Sequence, residues 1–246
     1  MQAVEELEMP IEATKTVREL AVELPNATRI FEQLGIDYCC GGERPLSAAC
    51  AVANLDVDKV LSRLEQGLSA ATQKAERDWS QESLAELIGH VNTAHHAYVR
   101  SESPRILALA AKVAGKHGGN HPELLRVQAL FNDLANDLQT HLMKEEQILF
   151  PYVLRLEEAF LAGEPAPPAM FGTVANPVRM MMAEHDAAGG FLRELRSVTN
   201  DYAVPEDACI SYRTLYQALS EFEADLHQHI HLENNILFPR AVAMEN

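Results

Sequence analysis

The sequence is poor in aromatic residues, cysteines and basic side chains, and these shortages exclude some classes of protein. Phe, Trp and Tyr make up 6% of the 246 residues, with one tryptophan, and there are four cysteines. Lys and Arg number 20 against 36 Asp and Glu, a net charge of −16. Because nucleic-acid-binding surfaces are basic, we expect no nucleic-acid partner. Abundant Ala, Leu and Glu favour helix.

Long apolar runs are also missing. No stretch approaches the roughly 18 apolar residues of a membrane span. The acidic start "MQAVEELEMP" has no apolar segment of the kind found in signal peptides. Four cysteines without an export signal indicate reduced thiols. We therefore expect a cytoplasmic protein with no membrane association.

Two of the four cysteines are adjacent, in "DYCCGG" at residues 37–42. A disulfide between Cys39 and Cys40 would close a strained ring that is easily reduced. Two thiols followed by Gly41 and Gly42 suit transient chemistry: binding a soft metal, accepting electrons or engaging a partner's cluster. Backbone N–H groups of a glycine-rich turn would lower the pKa values of the thiols. The alternative is a pair of buried thiols in a tight turn.

The N-terminal part of the chain has the pattern of short helices. "PNATRIFEQLG" offers Asn26 as an N-cap and Gly35 as a stop. Two further helices follow the glycines, the second capped by Asp56 and ended by Gly67. The predicted domains are a flexible N-terminus (1–14), a helical Cys-Cys domain (15–67), a linker (68–79) and a second domain (80–246).

The second domain repeats itself. "HLMKEEQILFP" at residues 141–151 and "HIHLENNILFP" at 229–239 share the pattern H-x3-E-x2-I-L-F-P, 88 positions apart. Each copy follows a helix that carries a histidine of its own, His96 or His185. The duplicated helix pairs predict an all-α fold: an up-down-up-down four-helix bundle behind a small helical domain. The four helices are expected at about 81–100, 122–159, 174–199 and 208–243.

The repeated motif has the spacing of a metal site. Positions i and i+4 share one face of a helix, so His141 and Glu145 can converge, as can His229 and Glu233. With His96 and His185 they supply four imidazoles and two carboxylates, a mixed set that suits two iron or manganese ions better than structural zinc. Surface His–Glu pairs are the alternative. Asp137 and Asp225, one turn before their histidines, could accept the second ring N–H, line an access path to the site, or lie on a solvated face.

These motifs resemble those of a known family. "DYCCGG" together with "KEEQILFP" and "LENNILFP" is similar to the iron–sulfur cluster repair di-iron proteins, which join a short Cys-Cys domain to a hemerythrin-like domain. The resemblance runs from about residue 15 to 243. It implies that the iron ligands are His96, His141, Glu145, His185, His229 and Glu233. Spacing alone does not separate His95 from His96; the match to the family's helix favours His96.

Oxygen-carrying hemerythrins are similar but differ in two places. They have a further histidine one turn after the third-helix ligand, where this chain has Gly189, and their last carboxylate follows its histidine by five positions rather than four. One fewer nitrogen ligand implies a more open iron pair. Reactivity is therefore favoured over oxygen carriage.

The resemblance implies a non-haem di-iron protein that repairs or protects iron–sulfur clusters after nitrosative or oxidative stress. Its cofactor would be two carboxylate-bridged iron ions, oxo-bridged when oxidised. Two routes are open: nitric oxide reduction to nitrous oxide at the diferrous site, which would make the protein an enzyme, or iron donation through Cys39 and Cys40. Expected partners are damaged iron–sulfur proteins, nitric oxide or dioxygen, and an electron donor, with the chain as a monomer or homodimer. The alternative is a dioxygen or nitric oxide sensor that signals through its N-terminal domain.

The remaining histidines and cysteines have plainer interpretations. His227 and His231 are expected in solvent, and Cys50 and Cys209 as small apolar packing residues. Roles stay open for Glu184, beside His185, and for His117 and His121 in the loop "KHGGNHP".

Overall fold

The computed structural model describes residues 11–24, 26–70 and 77–245. Within these ranges the regular secondary structure is helical, and the only β-type pairing is an isolated bridge between Thr16 and Pro45. The predicted all-α class is thus confirmed. The chain divides into two compact units, Met1–Asp78 and Trp79–Asn246.

The described part of the first unit contains four short helices: α1 Val17–Glu23, α2 Ala27–Leu34, α3 Leu46–Val52 and α4 Val57–Ala70. A capping box between Thr16 and Glu19 starts α1. Gly35 ends α2 in the left-handed conformation at φ 65°, as its position predicts. The backbone of Ser47 donates to the carbonyl of Ala13 at 3.1 Å, so the ordered unit includes part of the predicted flexible N-terminus, most of which lies outside the described residues.

The prediction that α4 ends at Gly67 is wrong, because the helix continues to Ala70. A Cβ at Gly67 would lie 2.7 Å from the Cδ1 of Ile30 on α2. The glycine therefore permits close packing of α4 on α2 rather than a helix stop. The predicted linker begins inside α4, and residues 71–76 of it lie outside the described residues.

The second unit is built from four long helical rods. Its α-helices are α5 Leu84–His90, α6 Ala97–His117, α7 Glu123–Lys144, α8 Phe150–Ala162, α9 Ala175–Thr199, α10 Ile210–His231 and α11 Phe238–Glu245. Three π-helical turns, Val91–His96, Glu145–Leu149 and Leu232–Leu237, join α5 to α6, α7 to α8 and α10 to α11. With α9 as the third rod, α6 packs on α7 and α10, and α7 packs on α9. Short connections make successive rods antiparallel, which is the predicted bundle.

The first rod is longer than predicted. It runs to His117 instead of ending near residue 100, with Pro104 inside it. Pro104 lies on the exposed face, where the carbonyl that loses its N–H partner can bind water. A proline on that face therefore did not terminate the helix.

The π-turns in the second and fourth rods follow from the repeated Phe-Pro step. The N–H of Phe150 donates to the carbonyl of Glu145, and that of Phe238 donates to Glu233, both five residues back. The next residue in each rod is a proline without an N–H to continue the ladder. Each widened turn begins at or beside a glutamate of the H-x3-E motif. Such π-helical turns occur frequently at functional sites.

The repeat also caps its partner helices. Glu157 on α8 accepts hydrogen bonds from the backbone of Leu84 at 2.6 Å and Ala85 at 2.9 Å, at the start of α5. Glu245, 88 positions later, accepts one at 2.8 Å from the backbone of Val174, at the start of α9. Each carboxylate meets otherwise unpaired N–H groups at the positive end of a helix, which holds the two rods of each half in register.

Across the described ranges, none of the helices is both long and apolar enough to cross a membrane.

Candidate metal centre

The structure places all six predicted metal ligands together in the interior of the bundle. They form two groups of four, His96, Glu145, His229 and Glu233, and His141, Glu145, His185 and Glu233. Within each group the ligand atoms lie within 4.8 Å of one another, and every side chain is buried. The two groups share both glutamates.

Each glutamate faces a histidine from both groups. An oxygen of Glu145 lies 3.4 Å from Nε2 of His96 and 3.3 Å from Nε2 of His141. Glu233 divides its two oxygens, with Oε1 at 3.1 Å from His229 and Oε2 at 3.2 Å from His185. A carboxylate shared in this way can bridge two cations.

The polar atoms of the centre are not satisfied by the protein alone. Among the described residues, none donates a hydrogen bond to the four carboxylate oxygens of Glu145 and Glu233, although all four are buried. The Nε2 atoms of His141 and His185 face each other at 3.0 Å, and those of His96 and His229 at 3.2 Å. Buried carboxylates and facing nitrogens at these distances need cations or protons between them. The donor set therefore fits two metal ions.

Three of the four histidines are oriented through their other ring nitrogen. Nδ1 of His96 lies 2.7 Å from Glu146, and Nδ1 of His141 lies 2.9 Å from Glu184. Nδ1 of His185 lies 2.8 Å from the side-chain oxygen of Asn234. Because these oxygens accept hydrogen bonds, the neutral ring carries its hydrogen on Nδ1 and presents the Nε2 lone pair to the centre.

Burial and charge set the pKa values of the centre in opposite directions. Burial lowers the pKa of His96, but the close negative charges of Glu145 and Glu233 outweigh burial and raise the pKa to about 10. Burial likewise lowers the pKa of His141, but the charge of Glu145 outweighs burial and raises the pKa to about 9. The pKa of His229 is lowered, mainly by its burial. Protons on the histidines thus compete with metal ions for the buried negative charge.

The structure separates His95 from His96. His96 faces the centre, whereas Nδ1 of His95 lies 3.0 Å from the carboxylate of Asp225. The His95 ring stacks on the ring of His229 at 5.6 Å. Asp225 therefore meets a histidine of another rod rather than its own motif, while Asp137 is exposed.

The phenylalanines of the repeat each cover one candidate histidine ligand of the partner rod. Phe150 stacks on His96 with ring centroids 5.7 Å apart, and Phe238 stacks on His185 at 6.0 Å. Both rings are buried and make the surroundings of the centre apolar. A low local dielectric strengthens the pull of the carboxylates on cations.

Sequence reasoning overlooked Glu146 and Asn234 as partners of the ligands. They occupy equivalent positions of the repeat, directly after the shared glutamates, and each contacts the histidine of its partner rod. The 88-residue repeat could have identified Glu146 and Asn234 as equivalent positions. Their equivalence is not apparent from the sequence because the two residues differ in type.

A third group of residues able to hold a metal ion lies in the first unit and consists of Asp37, Cys39 and Cys40. The two sulfur atoms are 3.7 Å apart, too far for a disulfide. The backbone N–H groups of both cysteines donate to the Asp37 carboxylate, at 3.2 Å for Cys39 and 2.9 Å for Cys40. A Cβ at Gly42 would lie 3.0 Å from the Tyr38 carbonyl, so close backbone approach explains this glycine.

The expectation that this turn lowers the thiol pKa values is wrong for Cys39. The neighbouring Cys40 thiol, burial and the charge of Asp37 all raise its pKa well above the ordinary value. The N–H groups that should have stabilised a thiolate are used by the carboxylate instead.

Two further residues differ from their sequence interpretation. His231 is buried rather than in solvent, and its Nδ1 lies 2.8 Å from the side-chain nitrogen of Asn235. Cys209 is half-buried and contacts His117 instead of packing in the core. Glu184, for which the sequence left the role open, orients His141 and forms an ion pair with Lys144.

Two family models match the chain. Residues 13–67 match a domain of unknown function (DUF542), and residues 87–241 match the hemerythrin HHE cation binding domain. The second match contains all six residues of the candidate centre, and the first contains Cys39 and Cys40.

Similar proteins align over nearly the whole chain. A probable iron-sulfur cluster repair protein of Haemophilus influenzae is 39% identical over 94% of this chain and 97% of its own length. The iron-sulfur cluster repair protein YtfE of Pectobacterium atrosepticum is 37% identical over 94% and 98%. That of Escherichia coli O81 is 36% identical over 92% and 96%.

Proposed function

The chain belongs to the hemerythrin-like iron–sulfur cluster repair proteins, and from this membership we propose that it holds two iron ions and restores or protects clusters damaged by nitrosative or oxidative stress. The observation that supports this most directly is the pair of histidine groups that share two buried glutamates. Relatives of nearly the same length are named for cluster repair.

One histidine pair and both glutamates would hold each iron. His96 and His229 would bind one ion, and His141 and His185 would bind the other. Two nitrogens and two shared carboxylates suit iron or manganese, and family membership favours iron. One turn beyond His185, the buried Gly189 offers no further ligand. The site is thereby left open to a small molecule.

A reduced iron pair held by these residues would supply electrons and binding positions for a diatomic ligand, nitric oxide or dioxygen. The protein's part is to exclude water with Phe150 and Phe238 and to keep the ligand rings oriented through their Nδ1 partners. The reaction we propose converts two nitric oxide molecules, two electrons and two protons into nitrous oxide and water. An external donor would supply the two electrons.

Iron donation is the second activity that we propose, with iron as cargo. Asp37, Cys39 and Cys40 offer two sulfurs and one oxygen within 4.8 Å of one another, a set that can hold iron transiently before a damaged cluster accepts it. The raised pKa of Cys39 favours this role over that of a general nucleophile, since iron must displace its proton and release is correspondingly easy.

The test for the first activity compares two double variants. Wild-type protein should contain about two irons per chain, as in other di-iron bundles, and form nitrous oxide after reduction and nitric oxide addition. Glu145→Ala/Glu233→Ala should lose both, and Glu158→Ala/Glu221→Ala, at exposed positions, should lose neither. Undiminished nitrous oxide from the folded site variant would refute the assignment. Return of intact nitric oxide by the wild type would instead support a sensor.

Iron donation needs a separate measurement. Cys39→Ser/Cys40→Ser should keep nitrous oxide formation but lose transfer of labelled iron to an apo iron–sulfur acceptor protein. Cys50→Ser, a buried thiol in the same unit, is the control. Equal transfer by all three proteins would exclude Cys39 and Cys40 from this role.

A further inference from the structure

The bundle carries a second reactive group at the end remote from the metal centre. Cys209 is the N-cap residue of α10. His229 lies twenty residues further along the same rod, which is about 30 Å at 1.5 Å per residue. The Cys209 sulfur lies 3.1 Å from Nε2 of His117, the last residue of α6. A nucleophile and a base from two different rods therefore meet within hydrogen-bonding distance.

The surroundings of this pair are built from charged and aromatic groups. His121 lies 3.1 Å from Asp207 and 3.0 Å from Glu123. The buried ring of Tyr212 packs against both histidines, with centroids 5.6 Å from His117 and 5.4 Å from His121. These contacts join the end of α6, the start of α7 and the start of α10. The packed Tyr212 ring thus holds His117 in place against Cys209.

Among the described thiols whose pKa is shifted, only that of Cys209 has a lowered pKa, which favours its thiolate form. No first-turn N–H reaches the sulfur with full capping geometry, so these groups act as aligned dipoles. The backbone N–H groups of Tyr212 and Ser211 lower the pKa of Cys209, helped by the charge of Lys116 and opposed by burial. The pKa values of Cys39 and Cys50 are raised, the latter mainly by burial.

We propose that Cys209, paired with His117, is a nucleophilic thiol site that undergoes exchange with small disulfides at the end of the bundle opposite the metal centre. The sulfur is half-buried and its neighbour Ile210 is largely exposed, so a small reagent can approach. This thiol site does not depend on the iron chemistry proposed above.

The exchange requires no reactant other than the Cys209 thiol and the disulfide. The proton of Cys209 passes to Nε2 of His117, and the thiolate attacks one sulfur of the disulfide. A new S–S bond joins Cys209 to that sulfur as the reagent's own S–S bond breaks. The second half of the reagent leaves as a thiolate, so Cys209 is oxidised and the leaving group is reduced.

The test uses iron-loaded, full-length protein and the chromogenic aromatic disulfide 5,5′-dithiobis(2-nitrobenzoate) at pH 7. We expect one thiol per chain to react faster than a cysteine in a short unstructured peptide, and peptide mapping to place the adduct on Cys209. Cys209→Ser should remove this fast phase, and Cys50→Ser should leave it intact. Iron content and thermal unfolding of both variants show whether they are folded.

A second variant tests the histidine. His117→Asn keeps a polar side chain but removes the base, and we expect the fast phase to slow about three- to tenfold, since thiolate fraction falls while nucleophilicity rises. A fast phase that maps to Cys40, or a Cys209 that reacts no faster than the peptide, would overturn the proposal. A rate unchanged in His117→Asn would overturn the pairing.

Discussion

Glu157→Ala is expected to destabilise the second unit by about 2–4 kcal/mol. The buried carboxylate accepts hydrogen bonds from the N–H groups of Leu84 at 2.6 Å and Ala85 at 2.9 Å, and alanine would leave both unpaired. A bond to a charged acceptor contributes about 1.5–3 kcal/mol. Since Leu84 is buried and Ala85 exposed, water can replace the second bond better than the first. This places the estimate below the sum of two full bonds.

Urea unfolding monitored by the emission of Trp79 measures this effect, because the only tryptophan belongs to the second unit. Glu158→Ala is the matched control: it removes an exposed carboxylate from the next position and should change stability by no more than about 0.5 kcal/mol. Glu157→Gln keeps one acceptor oxygen and should fall between the wild type and Glu157→Ala. If the free energy of unfolding of Glu157→Ala lies within about 0.5 kcal/mol of the wild-type value, the carboxylate does not anchor the first rod.

Three further predictions concern the metal centre. First, the pKa values of about 10 for His96 and about 9 for His141 lie above the ordinary 6.5, so their contribution to metal-free stability is fully present below pH 6.5 and is lost as the pH rises through 9 to 10. Metal affinity should rise over the same interval, with proton release measurable by calorimetry in buffers of different ionisation enthalpy. Unchanged affinity between pH 7 and 9 would contradict this competition. Second, Trp79 stacks on His90 with ring centroids 4.3 Å apart, His90 contacts His95, and His95 stacks on His229, so iron loading should quench the Trp79 emission and chelation should restore it. Third, Asn234→Ala should weaken metal binding about tenfold or more in a chelator competition, and equal affinity would exclude an orienting role.

Much of the candidate centre could be predicted because the residues that form it repeat along the chain. His141 and Glu145 lie one helical turn apart, as do His229 and Glu233, and local helix geometry alone brings each pair to one face. The bundle followed from the same repeat, since two equivalent helix pairs with short connections have few ways to bury their apolar faces.

Helix ends were predicted less well, because they depend on contacts between distant residues. Gly67 has the composition of a stop but serves as a packing surface for Ile30. Pro104 has the composition of a breaker but lies where water can replace its missing hydrogen bond. Propensity is a weak influence that tertiary packing overrides.

The sequence by itself determined the all-α class, the repeat and the set of chemical groups available to bind metal, because these follow from residue types and from spacing within single helices. Only the tertiary structure decided which residue faces which. It placed His96 at the centre and His95 against Asp225, and it set Cys209 beside His117. Such contacts join separate rods, so they depend on the rotation and axial offset of one helix against another, which no local pattern specifies.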